Sequence, residues 1–132
     1  MAQLPAIRDV MTLMPATIDQ RETLLTAQEM MVKQDIRHLP VTDKGKLVGI
    51  LSDRDLQIGL NVEEHFQGGE LLSVNYVCSF NPYCVTPDTP LDEVARYMAS
   101  HHISSALIMA GDKIEGIFTS TDACRWIGQL EC

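Results

Sequence analysis

Basic residues are in short supply in this chain. The 10 lysines and arginines stand against 18 aspartates and glutamates, a formal net charge of −8. Neutralising a nucleic-acid backbone or an anionic membrane surface takes clustered Lys and Arg. Neither kind of partner is therefore expected, although one small anion held by a few local donors is compatible with this balance. No run approaches the ~20 apolar residues of a membrane-spanning helix. Residues Met1 to Ile7 also lack the basic start and long apolar stretch of a secretory signal, so a cytoplasmic location is expected. The four cysteines, Cys78, Cys84, Cys124 and Cys132, form no C-x-x-C pair. Their spacing fits neither a zinc site nor the dense disulfide framework of a small secreted domain. Reduced thiols are expected, with no metal and no required cofactor.

What is present is an ordinary globular composition, 45% hydrophobic and 21% charged over 132 residues, enough for one domain or two very small ones. Self-comparison is more informative. Sliding the chain along itself lays Val10–Gln57 over Val77–Cys124 without a gap. Identical pairs include Pro15 with Pro82, Leu24 with Leu91, Met31 with Met98, Ile36 with Ile103, Lys46 with Lys113, Gly49 with Gly116 and Asp55 with Asp122. Elsewhere apolar mostly meets apolar, as in Ile18 with Val85 and Leu51 with Phe118. The chain is a duplication, with repeats at about 5–60 and 73–130 joined by a connector at 61–72.

Each repeat reads as β-α-β-β-α, an α/β (α+β) pattern. A short extended piece (Thr17-Ile18; Cys84-Val85) precedes a helix with apolar residues at helical spacing, clearest at Leu91, Val94, Ala95 and Met98. Thr89 is the expected N-cap there, with Pro90 at the first helical position, whereas the first repeat has Glu22 in the place of Thr89. Two β-rich runs follow, joined by Asp43-Lys44-Gly45-Lys46 or by Ala110-Gly111-Asp112-Lys113, which predicts a hairpin. A second helix is expected to start at Ser52 or Thr119. Residues Asn61 to Glu70, with Gly68 and Gly69, read as the connector.

A repeat of roughly 60 residues buries only about 60% of its unfolded surface and is marginal alone. Packing of the two repeats through their sheets, with pseudo-two-fold symmetry, is the expected remedy. The groove between them would then hold two equivalent candidate sites.

Chemistry concentrates in Gly49-Ile50-Leu51-Ser52-Asp53-Arg54-Asp55, answered by Gly116-Ile117-Phe118-Thr119-Ser120-Thr121-Asp122. Each run crosses a strand-to-helix junction. Glycine permits a close approach to the strand. The hydroxyl residue stands at a helix N-terminus, whose unpaired N–H groups favour anions. The acid can accept hydrogen bonds from sugar hydroxyls. The same pairs, Ser52 with Asp55 and Thr119 with Asp122, also have the spacing of capping boxes, which is a purely structural role.

The gapless duplication, the element order and the Gly-x-x-Ser/Thr-x-x-Asp junctions together resemble a tandem pair of CBS (cystathionine-β-synthase) domains, a Bateman module of the stand-alone bacterial or archaeal type. Ile7-Arg8-Asp9-Val10-Met11-Thr12 is similar to the usual lead-in of such pairs, and Arg37-His38-Leu39-Pro40-Val41 to the entry of their second strand. The resemblance implies a regulatory module that binds AMP, ADP, ATP or S-adenosylmethionine between its repeats. Carried over by position, Asp55 and Asp122 would hold ribose hydroxyls, and Ser52 and Thr119 would contact ribose or phosphate. Thr17 and Ile18, with Cys84 and Val85, would flank the base, and Pro40 would wall the first pocket. Arg54 and His38 are the phosphate candidates of the first repeat. The second has Thr121 and Ser105 at those positions, with Leu107 for Pro40, and so lacks an obvious cation. The first site is expected to be the stronger.

The module is expected to be a non-catalytic sensor that signals as a disc-like homodimer or through a separate regulated protein. The alternative is a structural interaction module that binds no nucleotide. An enzyme or thiol-redox protein built on Cys78, Cys84 or a histidine is disfavoured, because no nucleophile has a base beside it in a recognisable motif. His101 and His102 are expected at a helix end. Met11, Met14, Met30, Met31 and Met98 should fill core or interface, and Trp126 should pack in the core or at a subunit contact.

Overall fold

A computed structural model describes residues 4–13, 16–65 and 71–130. Met14, Pro15, Gly68, Gly69 and Cys132, singled out above, lie outside them. The fold is α+β, with two four-stranded sheets. The chain divides into two compact units. One is Ala16–Pro82; the other joins Met1–Pro15 to Tyr83–Cys132. These units are not the sequence repeats, because the segment leading into each repeat belongs to the unit built mainly from the other.

The unit Ala16–Pro82 contains β2 (Ile18–Asp19), α1 (Leu24–Gln34), β3 (His38–Asp43), β4 (Lys46–Ser52), α2 (Asp53–Glu64), a short 3-10 turn (Val74–Tyr76) and β5 (Ser79–Phe80). Its sheet runs β2-β3-β4-β5, with β2 parallel to β3 and the other pairs antiparallel. Leu24, Ala27 and Met31 form the buried stripe of α1, at helical spacing. They pack with Ile18, Leu39, Val41, Leu51, Leu56 and Val74 into one core.

The second unit contains a 3-10 turn (Ile7–Asp9), β1 (Thr12–Leu13), β6 (Cys84–Val85), α3 (Leu91–His101), β7 (Ser105–Ala110), β8 (Lys113–Thr119) and α4 (Ser120–Gly128). Its sheet runs β1-β8-β7-β6. Ile7, Leu91, Val94, Met98, Ala106, Ile108 and Phe118 form its core, and Trp126 and Met11 pack against them. Trp126 is therefore core filler, as are Met31 and Met98.

Some local expectations shift. Each sheet gains a fourth strand, β1 or β5, that the five-element reading lacks. The cap of α3 is Pro90, not Thr89, and it makes no side-chain cap bond. Thr89 instead shares a hydroxyl hydrogen bond with Thr86. At the matching position of the first repeat Thr23 caps α1, its hydroxyl accepting from the Thr26 N–H at 3.2 Å. That start is thus better marked than Glu22 implied. α2 continues to Glu64, so Asn61–Glu64 of the expected connector are helical. Leu60 packs on the core and carries the helix on, and the Glu63 carboxylate receives the Leu72 N–H at 2.7 Å.

Other expectations hold. The first hairpin turns through Lys44 (φ 52°) and Gly45 (φ 82°), the positive-φ pair of a type I′ turn, and the second through Gly111 (φ 62°). α3 ends at His101, and His102 caps it in the left-handed conformation.

One difference between the units follows from a missing donor. The Leu107 N–H donates to the Tyr83 carbonyl at 2.9 Å, and β6 pairs from Cys84 onward. The corresponding residue, Pro40, has no N–H to give Ala16. Accordingly β2 begins one position later, with Ile18 opposite Val41.

Candidate functional site

Each unit presents a strand-to-helix junction built in the same way. In the first, Ser52 ends β4 opposite His38 of β3, and the Asp53 N–H, at the head of α2, donates to the Arg37 carbonyl at 2.8 Å. The Ser120 N–H donates to Ser104 in the same manner at 3.1 Å in the second. Both second helices start where expected, with Ser52 and Thr119 as their N-caps.

The glycines of both junctions serve the protein's own strands. A Cβ on Gly49 would lie 2.5 Å from the Ser79 carbonyl oxygen, and one on Gly116 would lie 2.6 Å from that of Thr12. The close approach read from sequence is therefore made, in each unit, by the fourth strand.

The two aspartates differ sharply. Asp122 is 5% exposed, and both of its carboxylate oxygens are taken. Oδ2 accepts from the Thr119 N–H (2.9 Å) and from the Thr119 hydroxyl (3.2 Å). Oδ1 accepts from the Thr12 hydroxyl (3.1 Å) and from Arg125 Nη1 (2.7 Å). With the Asp122 N–H donating to Thr119 Oγ1 at 3.3 Å, this is a complete capping box. Asp55 is half-buried. Its N–H donates to Ser52 Oγ at 3.1 Å, but no group among the described residues donates to its carboxylate. The expected first capping box is thus one-sided. Arg125, which helps to hold Asp122 over its cap, is matched in the first repeat by Ile58, which has no donor.

Arg125 also corrects the expectation that the second junction has no cation. Its signal was legible as an acid and a base three residues apart on a predicted helix, but it falls outside the junction motif.

The other candidates are placed as follows. Thr17 is exposed just before β2, while Ile18 is buried in the core. Pro40 is fully buried, His38 half-buried and Arg54 exposed. In the second unit Cys84 is exposed, Val85 packs against the core, and Thr121 is exposed on α4.

Two of the described thiols have pKa values shifted upward. Burial raises the Cys78 pKa above its ordinary value and the nearby Asp55 carboxylate adds to the rise; burial alone raises that of Cys84. A raised pKa lowers the thiolate fraction on which reactivity depends. Among the described residues, no cluster of His, Cys, Asp and Glu is arranged to hold a metal ion. Among the same residues, no helix is long and apolar enough to cross a membrane.

Comparison with known proteins bears on these junctions. The family model of the CBS domain matches the chain twice, at residues 7–59 and 74–129. The CBS domain-containing protein YhcV of Bacillus subtilis is 28% identical over 119 residues, covering 90% of this chain and 83% of YhcV. L-aspartate semialdehyde sulfurtransferase of Methanocaldococcus jannaschii is 27% identical over 124 residues, which are 92% of this chain but 23% of that enzyme. Among solved structures, the CBS domain pair of protein MJ0100 in complex with 5′-methylthioadenosine and S-adenosyl-L-methionine is similar with a TM-score of 0.82. Its identity to this chain is 28%, over 95% of this chain and 97% of that one. CBSX2 in complex with AMP is similar with a TM-score of 0.77 at 25% identity, over 95% of this chain and 97% of that one. With two matched copies that carry the Gly-x-x-Ser/Thr-x-x-Asp junctions, this chain belongs to the CBS domain family, as a tandem pair.

Proposed function

We propose that this chain is a non-catalytic sensor of an adenosine-containing ligand, AMP, ADP, ATP or S-adenosylmethionine, and that the first junction is its principal site. The observation that carries this reading is the Asp55 carboxylate. It is half-buried at the head of α2 beside the Ser52 cap, and no donor among the described residues uses it. A half-buried carboxylate with open acceptor sites can take hydrogen bonds from two adjacent sugar hydroxyls.

In this assignment Asp55 takes the ribose hydroxyls and Ser52 contacts ribose or phosphate. Arg54, exposed on the first turn of α2, and His38, across the ladder from Ser52, are the phosphate partners. The backbone of Thr17 and Ile18 lies alongside the base, with Pro40 behind it. At the second junction Thr119, Thr121 and Asp122, with Cys84 and Val85, hold the equivalent places. The ligands bound by the MJ0100 pair and by CBSX2 support the ligand class.

Ligand binding is then passed on by self-association or to a regulated protein in the cytoplasm. Self-association as a homodimer is supported by apolar side chains exposed on the helices of the first unit, Leu25 and Val32 on α1 and Ile58 and Val62 on α2. A structural interaction module without a nucleotide is the second reading. It is favoured by the Thr119–Asp122 box, which shows that the motif can serve as a cap alone.

The deciding experiment is a thermal-shift panel of AMP, ADP, ATP, GTP, S-adenosylmethionine and NAD on wild type and Asp55→Ala. A ligand that binds the folded state must raise its apparent stability. An adenosine ligand is expected to stabilise wild type and to lose most of that effect on Asp55→Ala. No shift with any compound leaves the structural module standing.

A further inference from the structure

The second junction differs from the first in what already occupies its acid. A carboxylate accepts about four hydrogen bonds, and Asp122 has four donors from its own unit: two from Thr119 on Oδ2, with Thr12 and Arg125 on Oδ1. The Thr119 pair belongs to the helix cap, and Ser52 makes no such pair to Asp55 at the first junction. The other two lie outside the cap. They come from β1 and from the next turn of α4, and they use the oxygen that the cap leaves over. At the matching positions the first repeat has Ser79, which makes no bond to Asp55, and Ile58, which has nothing to donate.

We propose that Thr12 and Arg125 are specificity-determining residues that close the second junction. They act as an internal substitute for the ribose hydroxyls, so the chain takes up its adenosine ligand at the first junction alone until they are displaced. This rests on the assignment of Asp55 and Asp122 to ribose. A sugar hydroxyl approaching Asp122 must break a charge-assisted bond of 2.7 Å and a hydroxyl bond of 3.1 Å before it gains one of its own. At Asp55 it displaces no donor among the described residues.

The test uses the full chain with AMP as the probe and reads the second junction by itself, in an Asp55→Ala background. Into it go Thr12→Val, which keeps the shape and the β1 backbone pairing but removes the hydroxyl, and Arg125→Ile, which installs the residue of the first repeat. Isothermal calorimetry is expected to give wild type one AMP per chain and Asp55→Ala at least tenfold weaker binding. The triple variant Asp55→Ala/Thr12→Val/Arg125→Ile should bind at least tenfold more tightly than Asp55→Ala. Asp55→Ala/Thr12→Val, which keeps the ion pair, should show a smaller gain. A gain of affinity cannot come from misfolding, and the double variant keeps the test readable if the triple one does not fold.

If neither variant binds more tightly than Asp55→Ala, the closure is overturned. It is also overturned if Asp55→Ala keeps wild-type affinity, because the second junction would then already be open. Wild type that binds no AMP and no other adenosine compound overturns the sensor reading itself, and the closure with it. Those results are distinguishable, since only in the last does wild type itself fail to bind.

Discussion

Replacing each junction aspartate by alanine asks the two repeats to respond in opposite ways. Asp122→Ala removes the acceptor of four hydrogen bonds at a buried position and leaves the Thr119 N–H and the Thr12 hydroxyl without that partner. Loss of a helix cap costs about 1 kcal/mol. Loss of the other hydrogen bonds to the carboxylate brings the total to roughly 2–4 kcal/mol. The ion pair adds little, because Arg125 is largely exposed.

Asp55→Ala removes a carboxylate with no donor among the described residues, so its cost in stability is the interaction with the α2 dipole, about 0.3–1 kcal/mol. At roughly 3 °C per kcal/mol for a chain of this size, ligand-free melting curves should show a loss of about 6–12 °C for Asp122→Ala and at most about 3 °C for Asp55→Ala. Calorimetry with an adenosine ligand should invert that order, with Asp55→Ala losing binding and Asp122→Ala retaining most of it. Equal losses of melting temperature would refute the reasoning, because they would mean that Asp55 is as firmly bonded within the fold as Asp122. So would a larger loss for Asp55→Ala.

Gly49→Ala and Gly116→Ala should each destabilise by about 1–3 kcal/mol in denaturant titrations, since the added methyl meets a backbone carbonyl that cannot swing aside. Thr23→Ala should cost about 1 kcal/mol through its lost cap, while Pro90→Ala should remove no cap bond. The Arg21 guanidinium beside Asp19 holds that carboxyl at about 2, down from 3.8. A depressed acid stabilises the fold above its unfolded pKa and loses that contribution as pH falls through the folded one. Acid titration from pH 3.8 to about 2 should therefore show a loss of stability that is smaller in Arg21→Ala, which keeps only backbone N–H bonds to Asp19. Cys78, half-buried and with a raised pKa, should react with iodoacetamide more slowly than free cysteine at neutral pH. Fast labelling of Cys78 would contradict the burial assigned to it.

Much of the architecture was legible because it is written in local spacing. The helical stripes, the hairpins and the starts of α2 and α4 at Ser52 and Thr119 depend on residues within a few positions of one another. What escaped depends on contacts distant in sequence. β1 and β5 are two residues each, too short for any alternation to show, and they exist because β8 and β4 lie beside them. The late start of β2 follows from a proline on the facing strand. The α3 cap was read one residue early because Thr89 looks like a cap in isolation, yet its hydroxyl is engaged with Thr86. At the candidate site the motif identified both aspartates and their caps but could not tell them apart. The difference between them lies in Thr12, far away in the chain, and in Arg125, just past the motif.

The crossing of leading segments between the two units has a consequence for any attempt to split the protein. A nick between Glu64 and Leu71 would yield two fragments, neither holding a complete set of strands. The N-terminal fragment would carry β1 without β8, and the C-terminal one β5 without β4. Each would expose the bare edge of a sheet and lack the turn that plugs its core, Ile7 in one case and Val74 in the other. Only mixing would make both whole, so the halves created by gene duplication have become obligate complements.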